Sequence, residues 1–310
     1  MKKADRLWVI SNIIMDILTF VDDFPERSAD ILAKHGHATP GGAFNVIAAA
    51  TKLGMKTIYG GLVGTGPFGD VIMQRLEAMG VTLANNRIPG HDTGFDVAIV
   101  EKNGEPTFIT ALGSESRLDM AHLADLAIRA EDAVYLSGYN LIIQPSASAL
   151  RTWVPFLRDN LVLLDPGPLV GDIDPTMLDR VMHYTDIFSV NQREAFLLTG
   201  WEDPLESLTA LHNRFGDTTA IIVRSGAQGS WIMDNLNRPL NVPTIAVKPV
   251  NTMGAGDVHT AALVARMQDV PWEQAVFEAN ICASLATERE DPADSPTLAE
   301  LHEFLRGMRR

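Results

Sequence analysis

Short apolar runs and helix-patterned segments take turns through the second half of this chain, and that alternation restricts the fold more than any other feature of the sequence. Val134 to Ser137, Leu161 to Asp165, Ile187 to Val190 and Ala220 to Val223 have the length and composition of strands. Between them Ser146 to Leu157, Pro175 to His183 and Gln192 to Leu198 carry helical spacing, and three more helices near Thr252 to Met267, Trp272 to Leu285 and Thr297 to Met308 close the chain. Such alternation builds a parallel sheet covered by helices on both faces, with ligands at the carboxyl ends of the strands. Asp165, Asn191, Arg224 and the loop at Gly254 stand at such ends. The expected fold class is α/β, a doubly wound and mostly parallel sheet.

The first half departs from this rhythm. Leu7 to Ile10 reads as a strand, and Ile13 to Val21 as a second one that contains Asp16 and is ended by Pro25. Gly42 opens a helix striped by Phe44, Ile47, Ala50 and Leu53, with Gly54 closing it. Thr57 to Val63 predicts a strand and Phe68 to Met79 a helix stopped by Gly80. Phe95 to Val100 and Thr107 to Ala111 predict a hairpin, turned at Lys102-Asn103-Gly104-Glu105. The hairpin and the second strand are read as a small β lid, built from segments about 13–40 and 92–113 of a single domain spanning 1–310.

Charge narrows the partners. With 25 basic and 39 acidic side chains the formal charge is −14, which argues against nucleic acid, whose phosphates require a basic surface. No apolar run approaches the roughly 18 residues that span a bilayer, so no membrane partner is expected. The single Cys282 forbids an intramolecular disulfide, and a cytoplasmic location is the expectation. Near the start, Asp5, Asn12 and Asp16 interrupt what would otherwise imitate a signal peptide.

The chemistry concentrates at Val250 to Thr260. Pro243 to Val250 alternates as a half-buried strand would, and Ala261, Leu263, Val264 and Met267 recur at helical spacing. Gly254-Ala255-Gly256 therefore sits at a helix N-terminus, where unpaired amides and the helix dipole favour an anion. An acid beside an anion site repels phosphate unless it handles a proton or faces a cation, so Asp257 points to phosphoryl transfer onto a hydroxyl. The alternative is structural, since Asp in a first turn gains about 0.3–1 kcal/mol from the dipole alone. Gly64 to Gly69 also matches a dinucleotide fingerprint literally, but Pro67 removes an amide and no acid follows at the required distance.

Asn251 to Asp257 closely resembles the Asp-Thr-x-Gly-Ala-Gly-Asp signature of the ribokinase-like carbohydrate kinases, the PfkB group. Pro40-Gly41-Gly42-Ala43-Phe44-Asn45-Val46, followed by Leu53-Gly54, resembles that family's Gly-Gly-x-x-Asn segment. The resemblance implies a ribokinase-like fold and transfer of the ATP γ-phosphoryl group to a primary hydroxyl of a small sugar or nucleoside. It implies Asp257 as base, with Gly254, Ala255 and Gly256 holding the transferred charge. Asp16, Gly41, Gly42 and Asn45 match the positions that bind sugar hydroxyls. Asn191, Arg224, Gly226, Gly229 and Asn280 fall at nucleotide positions, with Arg224 where a Thr is usual. Glu194 matches the acid that helps position Mg²⁺, although Asn191 with Glu194 also spells a capping box. ATP and Mg²⁺ are the implied cofactors, and a homodimer through the lid is the implied assembly.

Departures from the signature fall on the acceptor and activation regions. Asn251 replaces an acid and removes one negative charge beside the glycine loop, so little response to a monovalent cation is expected. Gly113-Ser114-Glu115 and Asp165-Pro166-Gly167-Pro168 also differ from the usual segments, leaving the acceptor's identity open. Two readings of other classes stand beside the kinase: a dinucleotide-dependent oxidoreductase resting on Gly64 to Gly69, and a non-catalytic sugar or nucleotide sensor on the same fold.

Overall fold

The computed structural model describes residues 2–102, 106–216, 219–234 and 238–308, so the predicted Asn103-Gly104 turn lies outside the described residues. The chain opens with β1 (Arg6–Ile10), β2 (Ile13–Phe20), β3 (His35–Gly42) and α1 (Ala43–Lys52). Next come β4 (Lys56–Tyr59), α2 (Pro67–Ala78), β5 (Thr82–Leu83), β6 (Phe95–Val100), β7 (Pro106–Ala111) and α3 (Met120–Ala124). The alternating half contains β8 (Asp132–Ser137), α4 (Tyr139–Ile142), α5 (Ser146–Trp153), β9 (Leu161–Asp165), α6 (Pro175–Met182), β10 (Ile187–Asn191), α7 (Gln192–Thr199), α8 (Pro204–Phe215) and β11 (Ala220–Arg224). It ends with β12 (Ser230–Met233), β13 (Leu240–Val242), α9 (Ala255–Arg266), α10 (Trp272–Thr287) and α11 (Leu298–Met308).

A large sheet runs β13-β12-β11-β10-β9-β8-β1-β4-β5, parallel from β11 to β5 and antiparallel at β12 and β13. Its central strands are apolar throughout because each feeds two cores. Leu7, Val9, Ala133, Tyr135, Leu161 and Leu163 pack with α1, α9 and α10 on one face. Their chain neighbours Trp8, Ile10, Val134, Leu136, Val162 and Leu164 pack with α5, α6 and α8 on the other. Period-two alternation thus becomes two layers of helices, each fully buried aliphatic side chain contributing about 1.5–3 kcal/mol. The strand order reverses between β1 and β8, which opens a crevice at the carboxyl ends there.

A second sheet, β3-β2-β6-β7, carries the segments expected to form a lid. β2 runs antiparallel to β3 and parallel to β6, and β6 pairs with β7 as the predicted hairpin. Met15 and Phe95 pack from one face of this sheet into the core of the larger body. Alternation turns their neighbours Asp16 and Asp96 to the other face, where register aligns Thr39, Asp16, Asp96 and Thr110 in one row.

Several elements differ from the expectations. Pro243 to Val250 is not a paired strand. Pro243 and Pro249 have no N–H for a ladder, and the segment is instead tied to α10 through Thr244 Oγ1 to the Asn280 carbonyl (3.1 Å) and Val250 N–H to the Thr287 carbonyl (2.7 Å). The strand expected to reach Val63 stops at Tyr59, because Gly60 and Gly61 press against Ile10 and the Ser11 carbonyl. Helix α8 and strand β3 are additional elements that the alternation alone does not announce.

Candidate active site

Helix α9 begins where the glycines were expected to place it. Gly254 is its N-cap at φ +72°, a left-handed conformation that a side chain would strain, and the first intrahelical bond runs from Val258 N–H to the Gly254 carbonyl (2.9 Å). By helix geometry the amides of Gly256 and Asp257 precede that first bond and face outward as free donors. The Asp257 carboxylate stands in the same turn and accepts a hydrogen bond from Asn45 Nδ2 of α1 at 3.1 Å. Burial and the nearby Asp165 push Asp257 up to about 7, with Asn45 and Arg224 opposing.

Behind this turn lies Arg224, at the carboxyl end of β11. Its Nη1 donates to Asp165 Oδ2 (2.7 Å), the Gly256 carbonyl (3.2 Å) and Thr260 Oγ1 (3.3 Å), while Nη2 lies 3.6 Å from Glu194 Oε2. A Cβ at position 256 would meet the guanidinium at 3.2 Å, which explains a glycine there. The guanidinium is therefore built into the wall beneath the helix start, with Asp165 as its partner.

Asn191 ends β10 directly beside Arg224 in the sheet register. It forms a complete capping box: Glu194 N–H donates to Asn191 Oδ1 (2.8 Å), and Asn191 N–H and Nδ2 donate to Glu194 Oε2 (2.8 Å) and Oε1 (2.7 Å). Burial and Asp165 push Glu194 up to about 7, against the attraction of Arg224. Two of its four lone-pair directions are taken by Asn191, so a hydrated cation could still use the others. Among the described residues no three His, Cys, Asp or Glu side chains gather as a metal cage. Gly226 (φ +53°) and Gly229 (φ +81°) shape the following loop, closed by Ser225 N–H to the Gly229 carbonyl (2.8 Å). Asn280 lies deeper, on α10. Its amide donates to the Val242 (2.9 Å) and Pro243 (3.1 Å) carbonyls, and its oxygen accepts from Ser230 (2.7 Å) and lies 3.1 Å from His259 Nε2. All of its polar capacity is occupied inside the protein.

Across the crevice, the Asp16 carboxylate of β2 covers Gly41, at which a Cβ would overlap Asp16 Oδ2. Gly42 turns the chain into α1, and Ala43 N–H donates to the Asn12 carbonyl (3.0 Å). Burial, with the fields of Asp96 and Asp257, pushes Asp16 up to about 8. Tyr139, after β8 and 37% exposed, is raised to about 12 by partial burial and by the fields of Asp257, Asp96, Asp16 and Asp165. Asp96 and Tyr139 carry no local motif. Their signal lies only in strand register and in the position of Tyr139 just past a strand end.

The site is thus divided along the chain. Asp16, Gly41, Gly42, Asn45 and Asp96 precede residue 100, Asp165, Asn191, Glu194, Arg224, Gly226 and Gly229 lie from 165 onward, and Asp257 meets both groups. The Gly64 to Gly69 turn leads into α2, whose Phe68 ring packs against Phe95 with 5.6 Å between centroids. There the first amides of α2, from Phe68 and Gly69, are already taken by the Asp92 carboxylate (3.1 and 2.9 Å), so the helix start offers a phosphate nothing.

The pattern of the pfkB family carbohydrate kinases matches residues 4–298. A protein of Escherichia coli K12 named as the uncharacterized sugar kinase YegV is 29% identical over 297 residues, covering 94% of this chain and 92% of its own. An ATP-dependent ribose-1-phosphate kinase of Halopiger xanaduensis is 26% identical, over 97% of this chain and 98% of its own. Among solved structures, ribokinase from Giardia lamblia superposes with a TM-score of 0.85 at 19% identity, covering 99% of this chain and 100% of that one. Arabidopsis thaliana ribokinase, complexed with ribose and ATP, gives 0.81 at 23% identity over 98% and 99% of the two chains. These likenesses show the ribokinase-like fold, with its large mostly parallel sheet and its second small one. Because the family pattern extends unbroken through both glycine loops and both sheets, what the sequence suggested as a resemblance is membership: the chain belongs to the pfkB family of carbohydrate kinases.

Proposed function

We propose that the protein transfers the γ-phosphoryl group of ATP to a primary hydroxyl of a small sugar or nucleoside, with Asp257 as general base. The carrying observation is the first turn of α9, where a carboxylate raised to about 7 stands beside outward amides and is held by Asn45 from the acceptor side. The hydroxyl oxygen attacks the γ-phosphorus in line and its proton passes to Asp257. The bond to the β,γ-bridging oxygen breaks, and ADP leaves with that electron pair. Gly254, Ala255, Gly256 and the Asp257 amide meet the charge on the transferred group.

Asp16, Gly41, Gly42 and Asn45 bind the acceptor in this reading, and Asn191, Gly226 and Gly229 line the nucleotide side. Arg224 lends positive charge while bracing the helix start, and Asn280 braces the wall of the nucleotide pocket. Glu194 is the residue that would hold Mg²⁺ through water, and the ion would supply positive charge against the phosphates. Two relatives in complexes, Arabidopsis ribokinase with ribose and ATP and an E. coli putative ribokinase II with ATP and Mg²⁺, support these cofactors. The small sheet acts as a lid that excludes water from the transferring group. Its exposed β7 edge, with Phe108, Ile109 and Leu112 more than 40% accessible, pairs with a second copy of the chain.

Mixing the protein with Mg-ATP and pooled sugars and nucleosides, and following ADP, separates a kinase from a sensor. Asp257→Asn is expected to retain nucleotide binding and lose at least about 100-fold in turnover. Because a base must be deprotonated, the parent's rate is expected to rise with pH through about 7. Unchanged turnover in the variant would exclude Asp257 as the base.

A further inference from the structure

We infer that Asp96 is a specificity-determining residue that, with Asp16, forms a paired-carboxylate clamp reading hydrogen-bond donors on the acceptor and barring acceptors that carry an anion there. The two residues are direct partners in the parallel β2–β6 register, so both carboxylates leave the same face of the small sheet. Asp16 is 5% exposed and Asp96 6% exposed. Among the described residues neither carboxylate accepts a hydrogen bond or pairs with a cation, and Asp96 Oδ1 is fully buried without a partner.

The neighbouring groups share that condition. Thr39 Oγ1, beside Asp16 in the β2–β3 register, and Asn45 Oδ1, on the residue that holds Asp257, are also buried without partners. A buried acceptor without a donor is costly, and native interiors rarely retain several together. Three such groups, on Asp96, Thr39 and Asn45, together with the Asp16 carboxyl therefore describe a surface whose donors arrive with the ligand.

The ligand's chemistry follows from what the crevice lacks. The Asp96 and Asn45 oxygens accept, and Asp16 accepts through at least one oxygen in either protonation state, so the complementary ligand presents O–H or N–H groups on adjacent atoms. A polyol does so, and so does an amino-polyol. Asp16 and Asp96 leave one face of the small sheet and the field of Asp257 reaches Asp16, while Arg224 is engaged by Asp165. A phosphate or carboxylate on that part of the acceptor would meet the negative charge of Asp96, and above about pH 8 that of Asp16 as well, and among the described residues no cation pairs with either carboxylate. Asp96 thus adds to Asp16 a second reading point, and it favours an unphosphorylated acceptor.

The ligand's role as a phosphoryl acceptor rests on the kinase reading, so the test measures binding without nucleotide. Calorimetric titrations would use pentoses and hexoses, their amino counterparts and their phosphates, against the parent and Asp96→Asn. At least one hydroxyl- or amine-bearing sugar is expected to bind, its phosphate at least about tenfold more weakly, and Asp96→Asn is expected to lose about tenfold for that sugar. Unaltered ATP affinity in Asp96→Asn shows that the variant is folded, and Thr39→Val is expected to give a smaller loss in the same direction. Tighter binding of the phosphate than of its parent sugar, or equal sugar affinity in Asp96→Asn, overturns the clamp. If binding behaves as expected but Mg-ATP yields no ADP, the kinase reading fails and the clamp stands.

Discussion

A carboxylate in the position of Asp16 works against the folded state. Its value rises from the ordinary 3.8 to about 8 on burial beside Asp96 and Asp257, so between those two values the native protein holds a proton that the unfolded chain has released. Linkage then makes stability fall as pH rises through that window: the contribution is full below about 4 and lost once pH passes about 8. Asp16→Asn, isosteric and neutral, is expected to melt higher than the parent at pH 8.5, with the gap narrowing steadily toward pH 4. Melting curves across that range check it, and a variant less stable at every pH would show that the charge is welcome. At this scale the sequence was legible wherever a residue sits in a local motif. Asp257 follows three loop residues that announce a helix start, and Gly41-Gly42 precedes a clear apolar stripe. Asp96 was invisible because its partner Asp16 lies eighty positions away, and only strand register unites them.

At the scale of elements, the start of α9 depends on Asn251. Its Nδ2 donates to the Glu290 carbonyl (2.8 Å) and its Oδ1 accepts from Met253 N–H (2.9 Å), so one end of a neutral amide ties the loop to the segment after α10 and the other braces the loop itself. An acid could not make the first of these bonds. With that carbonyl occupied and one formal charge absent, initial rates in sodium, potassium and tetramethylammonium salts at matched ionic strength are expected to agree within about twofold. A severalfold rise specific to K⁺ would show that carbonyls alone suffice for an ion. Most strands and helices were readable from periodicity and lie within one or two residues of their expected spans, while β4 stops at Tyr59, α5 at Trp153 rather than Leu157, and α9 starts at Ala255 rather than near Thr252. β3 was not, because His35 to Gly42 has no apolar alternation and owes its extended form to β2. Pro243 to Val250 has the alternation but not the amides, and lies at the sheet's edge where no strand completes it. For α8 the signals were present, with Asp203 capping, Pro204 first in the helix, and Leu208 and Leu211 buried at helical spacing.

At the scale of the whole molecule, the β7 edge leaves backbone and large apolar side chains exposed together, with Ile109 63% accessible. Light scattering is expected to give twice the 33.8 kDa chain mass, and Ile109→Glu to shift it to the single-chain value with Mg-ATP affinity unchanged. A monomeric parent would remove the second copy from that surface. The division of the site along the chain bears on inheritance. The groups proposed to touch the acceptor come from the small sheet and α1, those proposed to hold nucleotide come from the strands after β8, and one helix start joins them. Recombination or drift confined to the codons before β8 can therefore give descendants a new acceptor while they inherit the phosphoryl-transfer half unaltered.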